Sequence, residues 1–116
     1  MIDTDVRLRQ AVHSNRRSHI MIRKHIIAHG RVQHVGFRFT IMGIASTCKV
    51  TGWVKNLYDG NVEIEVQGAA HRVERFIELM KEDRPGGNPW IRISHLDIAD
   101  IPIVNVLKET GFHPRY

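Results

Sequence analysis

The stretch Gly30-Arg31-Val32-Gln33-His34-Val35-Gly36-Phe37-Arg38 gathers the residue types that handle an anion. Its glycines mark a loop feeding a run with helical spacing. A helix start offers backbone N–H groups without intrahelical partners, together with the positive end of the helix dipole. Such a loop can cradle phosphate, and Arg38, one residue into the helix, can fork two N–H bonds onto the phosphate oxygens. A plain strand-to-helix loop with a surface arginine is the other reading of the same residues. A second stretch, Gly52-Trp53-Val54-Lys55-Asn56-Leu57-Tyr58-Asp59-Gly60-Asn61-Val62-Glu63, sets Asn56 where a strand leads into a turn. An amide carries a donor and an acceptor, so it can orient a water against an electrophile without being a base; it can also simply cap the turn.

Both stretches need a scaffold, and the hydrophobic pattern supplies one. Ile20 to His29 is short and β-branched before Gly30, which predicts a first strand. Phe37, Ile41, Ile44, Ala45 and Cys48 recur at helical spacing and predict a first helix. Thr51–Leu57 and Asn61–Gln67 flank Tyr58-Asp59-Gly60, a hairpin signal, and Val62, Ile64 and Val66 alternate with polar Asn61, Glu63 and Glu65, so one strand face is expected buried and the other wet. Val73, Phe76, Ile77 and Met80 predict an amphipathic second helix ending near Pro85-Gly86-Gly87, and Ile91–Ile98 a fourth strand. This order gives an α+β fold: a ferredoxin-like βαββαβ sandwich with a four-stranded, mainly antiparallel sheet and two helices on one face. The tail, with Gly111-Phe112, reads as a short turn and an edge strand.

The chain has 116 residues, 42% of them hydrophobic and 25% charged, a composition that excludes global disorder and suits a single core. Residues 1–19 form a basic N-terminal extension, and 20–116 form the domain. With no run long enough for a bilayer span and no signal-peptide core, a cytoplasmic location without membrane attachment is expected. The net charge of +5 favours anionic partners without choosing among them. Cys48, alone and in an apolar stripe, is expected buried and inert.

Taken together, the two stretches resemble the signatures of the acylphosphatase family, approximately Gly-x-Val-Gln-Gly-Val-Gly-Phe-Arg and Gly-Trp-Val-x-Asn-x-x-Asp-Gly-x-Val-Glu. The second matches fully, and the resemblance spans about residues 25–98. It implies that Arg38 is the phosphate-binding arginine, Asn56 the water-orienting asparagine, and Gln33, His34, Val35, Gly36 and Phe37 the phosphate-binding loop. The implied reaction is hydrolysis of an acyl phosphate to a carboxylate and inorganic phosphate by direct water attack, with no cofactor, metal or covalent intermediate. The implied partners are a small-molecule acyl phosphate and, as product-like ligands, inorganic phosphate or sulfate; a monomer is expected. His34 stands where the family usually has glycine. If that position requires positive φ, the side chain strains the backbone and leans over the anion, which predicts slower or pH-dependent hydrolysis.

The alternatives are an inactive or weakly active phosphate-binding module, including one working within a larger carbamoyl-transfer enzyme, and an RNA-binding domain. The last is disfavoured because the aromatics of Phe37-Arg38-Phe39 do not fall on the third strand, which has none. His13, His19, His25, His29, His34, His71, His95 and His113 are scattered without metal-ligand spacing, so no metal site is expected. Trp53, Trp90, Tyr58 and Met80 are assigned to packing, and Glu63 and Glu65 to a hydrated face.

Overall fold

The computed structural model describes residues 19–116, so the extension expected over 1–19 lies, except for its last residue, outside the described residues. The elements are β1 (Met21–Arg31), α1 (Phe37–Cys48), β2 (Thr51–Asn56), β3 (Val62–Ala69), α2 (Ala70–Met80), β4 (Arg92–Ile101) and β5 (Phe112–Arg115), with 3-10 turns at Pro85–Gly87 and Val106–Lys108. The strands lie in the order β4-β1-β3-β2-β5, antiparallel except for the parallel β2–β5 pair.

The period-2 apolar residues of the strands meet the helical stripes in one core. Ile26 and Ala28 of β1, Val54 of β2, and Val62, Ile64 and Val66 of β3 pack with Phe37, Ile41, Ile44, Ala45 and Cys48 of α1 and with Val73, Phe76 and Met80 of α2. Each large side chain buried this way contributes about 1.5–3 kcal/mol, which fixes both helices on the same sheet face. Ile77 of the predicted stripe is only partly buried at the rim. Burial also pushes the Cys48 thiol pKa up, against a smaller opposing effect of Arg75, as befits an inert thiol.

Among the described residues the sheet has five strands: the tail forms the expected edge strand, β5, which joins the four of the sandwich and turns Phe112 inward onto Phe76, with ring centroids 5.8 Å apart. Several details depart from expectation. β1 does not end at Gly30 but bulges there: Gly30 has φ 121° and a β-carbon would lie 2.2 Å from the Arg92 carbonyl oxygen, a spacing only glycine allows. β4 continues past Ile98 to Ile101, which pairs with Arg23. α2 stops at Met80, well before Pro85, since Lys81 to Arg84 are all exposed and offer the core nothing. Trp53 and Met80 are buried as expected, whereas Tyr58 and Trp90 are exposed and do no packing.

The face away from the helices is not simply wet. Arg23 is only 3% exposed there, and its guanidinium donates to Glu65 Oε1 (2.8 Å), Gln67 Oε1 (3.2 Å) and both oxygens of Glu109 (2.9 and 3.0 Å). Thr51 donates to Glu109 Oε1 (2.8 Å), and the Gln67 amide bonds both the N–H and the carbonyl of Val104. The segment joining β4 to β5 is thereby strapped across the sheet. Burial pushes the Glu109 carboxyl pKa up, but the hydrogen bonds from Arg23 and Thr51 and the charges of Arg23 and Arg115 outweigh it and hold the group below its ordinary 4.5. Glu63 is likewise engaged, with His25 Nε2 at 2.8 Å. No helix among the described residues is long and apolar enough to cross a membrane.

Candidate functional site

The loop between β1 and α1 is closed by its flanks. Gly36 serves as the N-cap of α1 at φ 76°, its carbonyl accepting the first helical bond from the Thr40 N–H at 3.0 Å, and no side chain caps the helix. His34 sits at φ 63°, in the left-handed region that glycine adopts freely and other residues rarely do. Positive φ at both 34 and 36 curls the backbone so that successive N–H groups gather on the concave side, a geometry suited to an anion. The first-turn N–H groups of α1 add to it, having no carbonyl four residues back.

Two fasteners hold this loop from outside. Gln33 Nε2 donates to the carbonyls of Leu57 (2.7 Å) and Asn61 (2.8 Å), tying the loop to the β2–β3 turn. That turn is itself tight: Asn61 N–H donates to Asp59 Oδ1 at 2.9 Å, and Leu57 N–H to the Asn61 carbonyl at 2.9 Å. Asn88 Nδ2 donates to the Val35 carbonyl at 2.8 Å.

Between loop, α1, β2 and the tail lies a pocket of about 340 Å³, lined by Val32, His34, Gly36, Phe37, Arg38, Phe39, Met42, Asn56, Pro114 and Tyr116. Of the six loop residues singled out from the sequence, His34, Gly36, Phe37 and Arg38 line it; Gln33 and Val35 do not, and shape the loop instead. Arg38 and Asn56, from separate elements, converge on the same pocket. The Arg38 guanidinium lies 5.1 Å from the centre of the Tyr116 ring, and among the described residues it pairs with no carboxylate. Among the described residues no Asp or Glu lines the pocket. Asn56 Oδ1 is buried with no hydrogen-bond partner among the described residues. A buried acceptor left unpaired costs about 1–3 kcal/mol, and a donor that reached it would offset that cost.

Pro114 and Tyr116 were not picked out from the sequence. The signal was there in the spacing of Phe112, Pro114 and Tyr116, alternate residues of a short strand and the residue just past its end, but their place at the pocket depends on β5 pairing with β2. Asn88 carries no signal of its own, since one asparagine after a Pro-Gly-Gly turn reads as loop. Among the described residues no group of three His, Cys, Asp or Glu is placed to hold a metal ion.

Comparison with known proteins places this geometry in company. The acylphosphatase family model matches residues 24–114. The chain is 44% identical over 89 residues to an acylphosphatase of Clostridium beijerinckii, covering 77% of this chain and 94% of that one. The crystal structure of acylphosphatase from Bacillus subtilis superposes with a TM-score of 0.70 at 29% identity, covering 82% of this chain and 99% of that one. The crystal structure of T. kodakarensis HypF superposes with a TM-score of 0.70 at 34% identity, over 82% of this chain but only 12% of that one.

Proposed function

This chain belongs to the acylphosphatase family, and from that premise we propose that it hydrolyses small-molecule acyl phosphates by direct attack of water on phosphorus. The phosphoryl group sits in the curl of His34 to Phe37, its oxygens held by backbone N–H groups and by Arg38, which balance the charge of the transition state. Asn56 Oδ1 accepts a hydrogen bond from the water and turns its lone pair toward phosphorus, a positioning role worth a large share of the barrier for an activated anhydride. The oxygen of water bonds to phosphorus as the bond from phosphorus to the acyl oxygen breaks. The carboxylate leaves as a stable anion needing no proton, and the proton of water passes to the phosphate or to solvent. No general base is required, in keeping with a pocket that no described Asp or Glu lines.

The observation that carries this reading is the convergence of Arg38, from the start of α1, and Asn56, from the end of β2, on one pocket. Its test is benzoyl phosphate hydrolysis by the purified chain, with Arg38→Ala and Asn56→Ala compared. Each variant is expected to fold and lose nearly all turnover, Arg38→Ala also losing affinity for inorganic phosphate and Asn56→Ala keeping it. Turnover retained in either variant removes that residue from the mechanism; phosphate binding without turnover in the unmodified chain points to a phosphate-binding module instead. The reading includes a cytoplasmic monomer, and sedimentation at a dimer's mass would correct its second half.

A further inference from the structure

We propose that Asn88, outside the pocket and 50 residues beyond Arg38 in sequence, is the positioning residue that aims the Gly36 N–H at the bound phosphoryl group; this rests on the phosphate-loop reading above. Every described peptide bond is trans, so the carbonyl of Val35 and the N–H of Gly36, which belong to one peptide unit, point in opposite directions. Asn88 Nδ2 holds that carbonyl from outside the loop at 2.8 Å, while Gly36 itself lines the pocket. Fixing the carbonyl outward therefore fixes the N–H inward. The next peptide unit is set the same way by the helix, since the Thr40 N–H holds the Gly36 carbonyl at 3.0 Å and leaves the Phe37 N–H directed back toward the loop. Two adjacent donors are thus aimed by two bonds made behind them, one from the backbone and one from the Asn88 side chain.

The amide is itself held for this task. Asn88 Oδ1 accepts from the Trp90 N–H at 2.9 Å, so the oxygen is committed to its own turn and the nitrogen is the end that faces Val35. The Asn88 N–H donates to the Pro85 carbonyl at 3.0 Å, and Nδ2 also reaches Thr40 Oγ1 at 3.4 Å. Pro85 is buried, which seats the turn against the body of the domain. An aspartate would keep the Trp90 bond and the volume but present an oxygen to the Val35 carbonyl, removing the donor and adding repulsion.

The test is titration of the folded full chain with inorganic phosphate, followed by amide nitrogen–proton NMR, in the unmodified protein, Asn88→Asp and Asn88→Ala, alongside kcat and KM on benzoyl phosphate. Phosphate is expected to shift the Gly36 and Phe37 amides of the unmodified protein. In both variants the Gly36 shift shrinks and the inhibition constant for phosphate rises about five- to tenfold, the worth of one hydrogen bond. KM is expected to rise more than kcat falls, because Asn56 and its water are untouched. If the unmodified protein shows no response at Gly36, the phosphate-loop reading itself fails. If it responds and a folded variant responds equally with an unchanged inhibition constant, the role of Asn88 is overturned and only a structural one remains. Should Asn88→Asp not fold, Asn88→Ala carries the same decision.

Discussion

His34→Gly separates the strain in the loop from the contact its ring makes in the pocket. At φ 63° an L side chain costs about 1–2 kcal/mol relative to glycine, while glycine loses about 0.4–1 kcal/mol through the greater freedom of its unfolded chain. The balance leaves about 1 kcal/mol of added stability. For a domain of this size that is a rise in Tm of about 4–8 °C, read by calorimetry or circular dichroism. The same change removes an imidazole that lines the pocket and is exposed. A ring able to donate to a phosphate oxygen goes with it, so His34→Gly is expected to raise the inhibition constant for phosphate about fivefold, the worth of one hydrogen bond. A variant with unchanged or lower Tm would refute the strain argument, and an unchanged inhibition constant would remove His34 from the contacts to phosphate.

Other perturbations probe what positions the pocket. Gln33→Ala removes two hydrogen bonds, but Leu57 and Asn61 keep other donors on their carbonyls, so the expected loss is about 1–2 kcal/mol in denaturant unfolding, with KM raised; an unchanged KM would show that the tie to the hairpin does not shape the loop. Arg23→Met strands Glu65 and Glu109 beneath the strap and is expected to cost about 3–5 kcal/mol, whereas a loss under 1 kcal/mol would mean the strap holds by other contacts. Because the Glu109 pKa is held below 4.5, its stabilisation is complete above that pH and disappears as pH falls through the lowered folded value. Glu109→Gln should flatten that acid limb of the stability curve, and an equally steep limb would assign acid loss elsewhere.

The parts of the structure that depend on local pattern were legible in the sequence. All five apolar positions predicted for α1 are buried on it, and the Asp59-Gly60 hairpin forms where the alternation on either side requires it. Arg38 and Asn56 converge on one pocket because each is set by its own element, a helix start and a strand end, and the two elements are neighbours through the core. What escaped depends on contacts distant along the chain. Arg23 and Glu109, 86 residues apart, find each other only once the tail crosses the sheet, and that crossing turns the supposedly wet face of Glu63 and Glu65 into a partly covered one. Tyr116 reaches Arg38 for the same reason. Gly30 misled because a glycine that admits a bulge and one that ends a strand look alike in sequence.

In the proposed mechanism water attacks phosphorus while Asn56 aims it. Hydrolysis of benzoyl phosphate in water enriched in oxygen-18, with chelator present and products read by mass spectrometry, tests it most directly. The label is expected in inorganic phosphate and absent from benzoate, and Asn56→Ala is expected to make almost no labelled phosphate. Label in the benzoate would place the attack on the acyl carbon and contradict the mechanism.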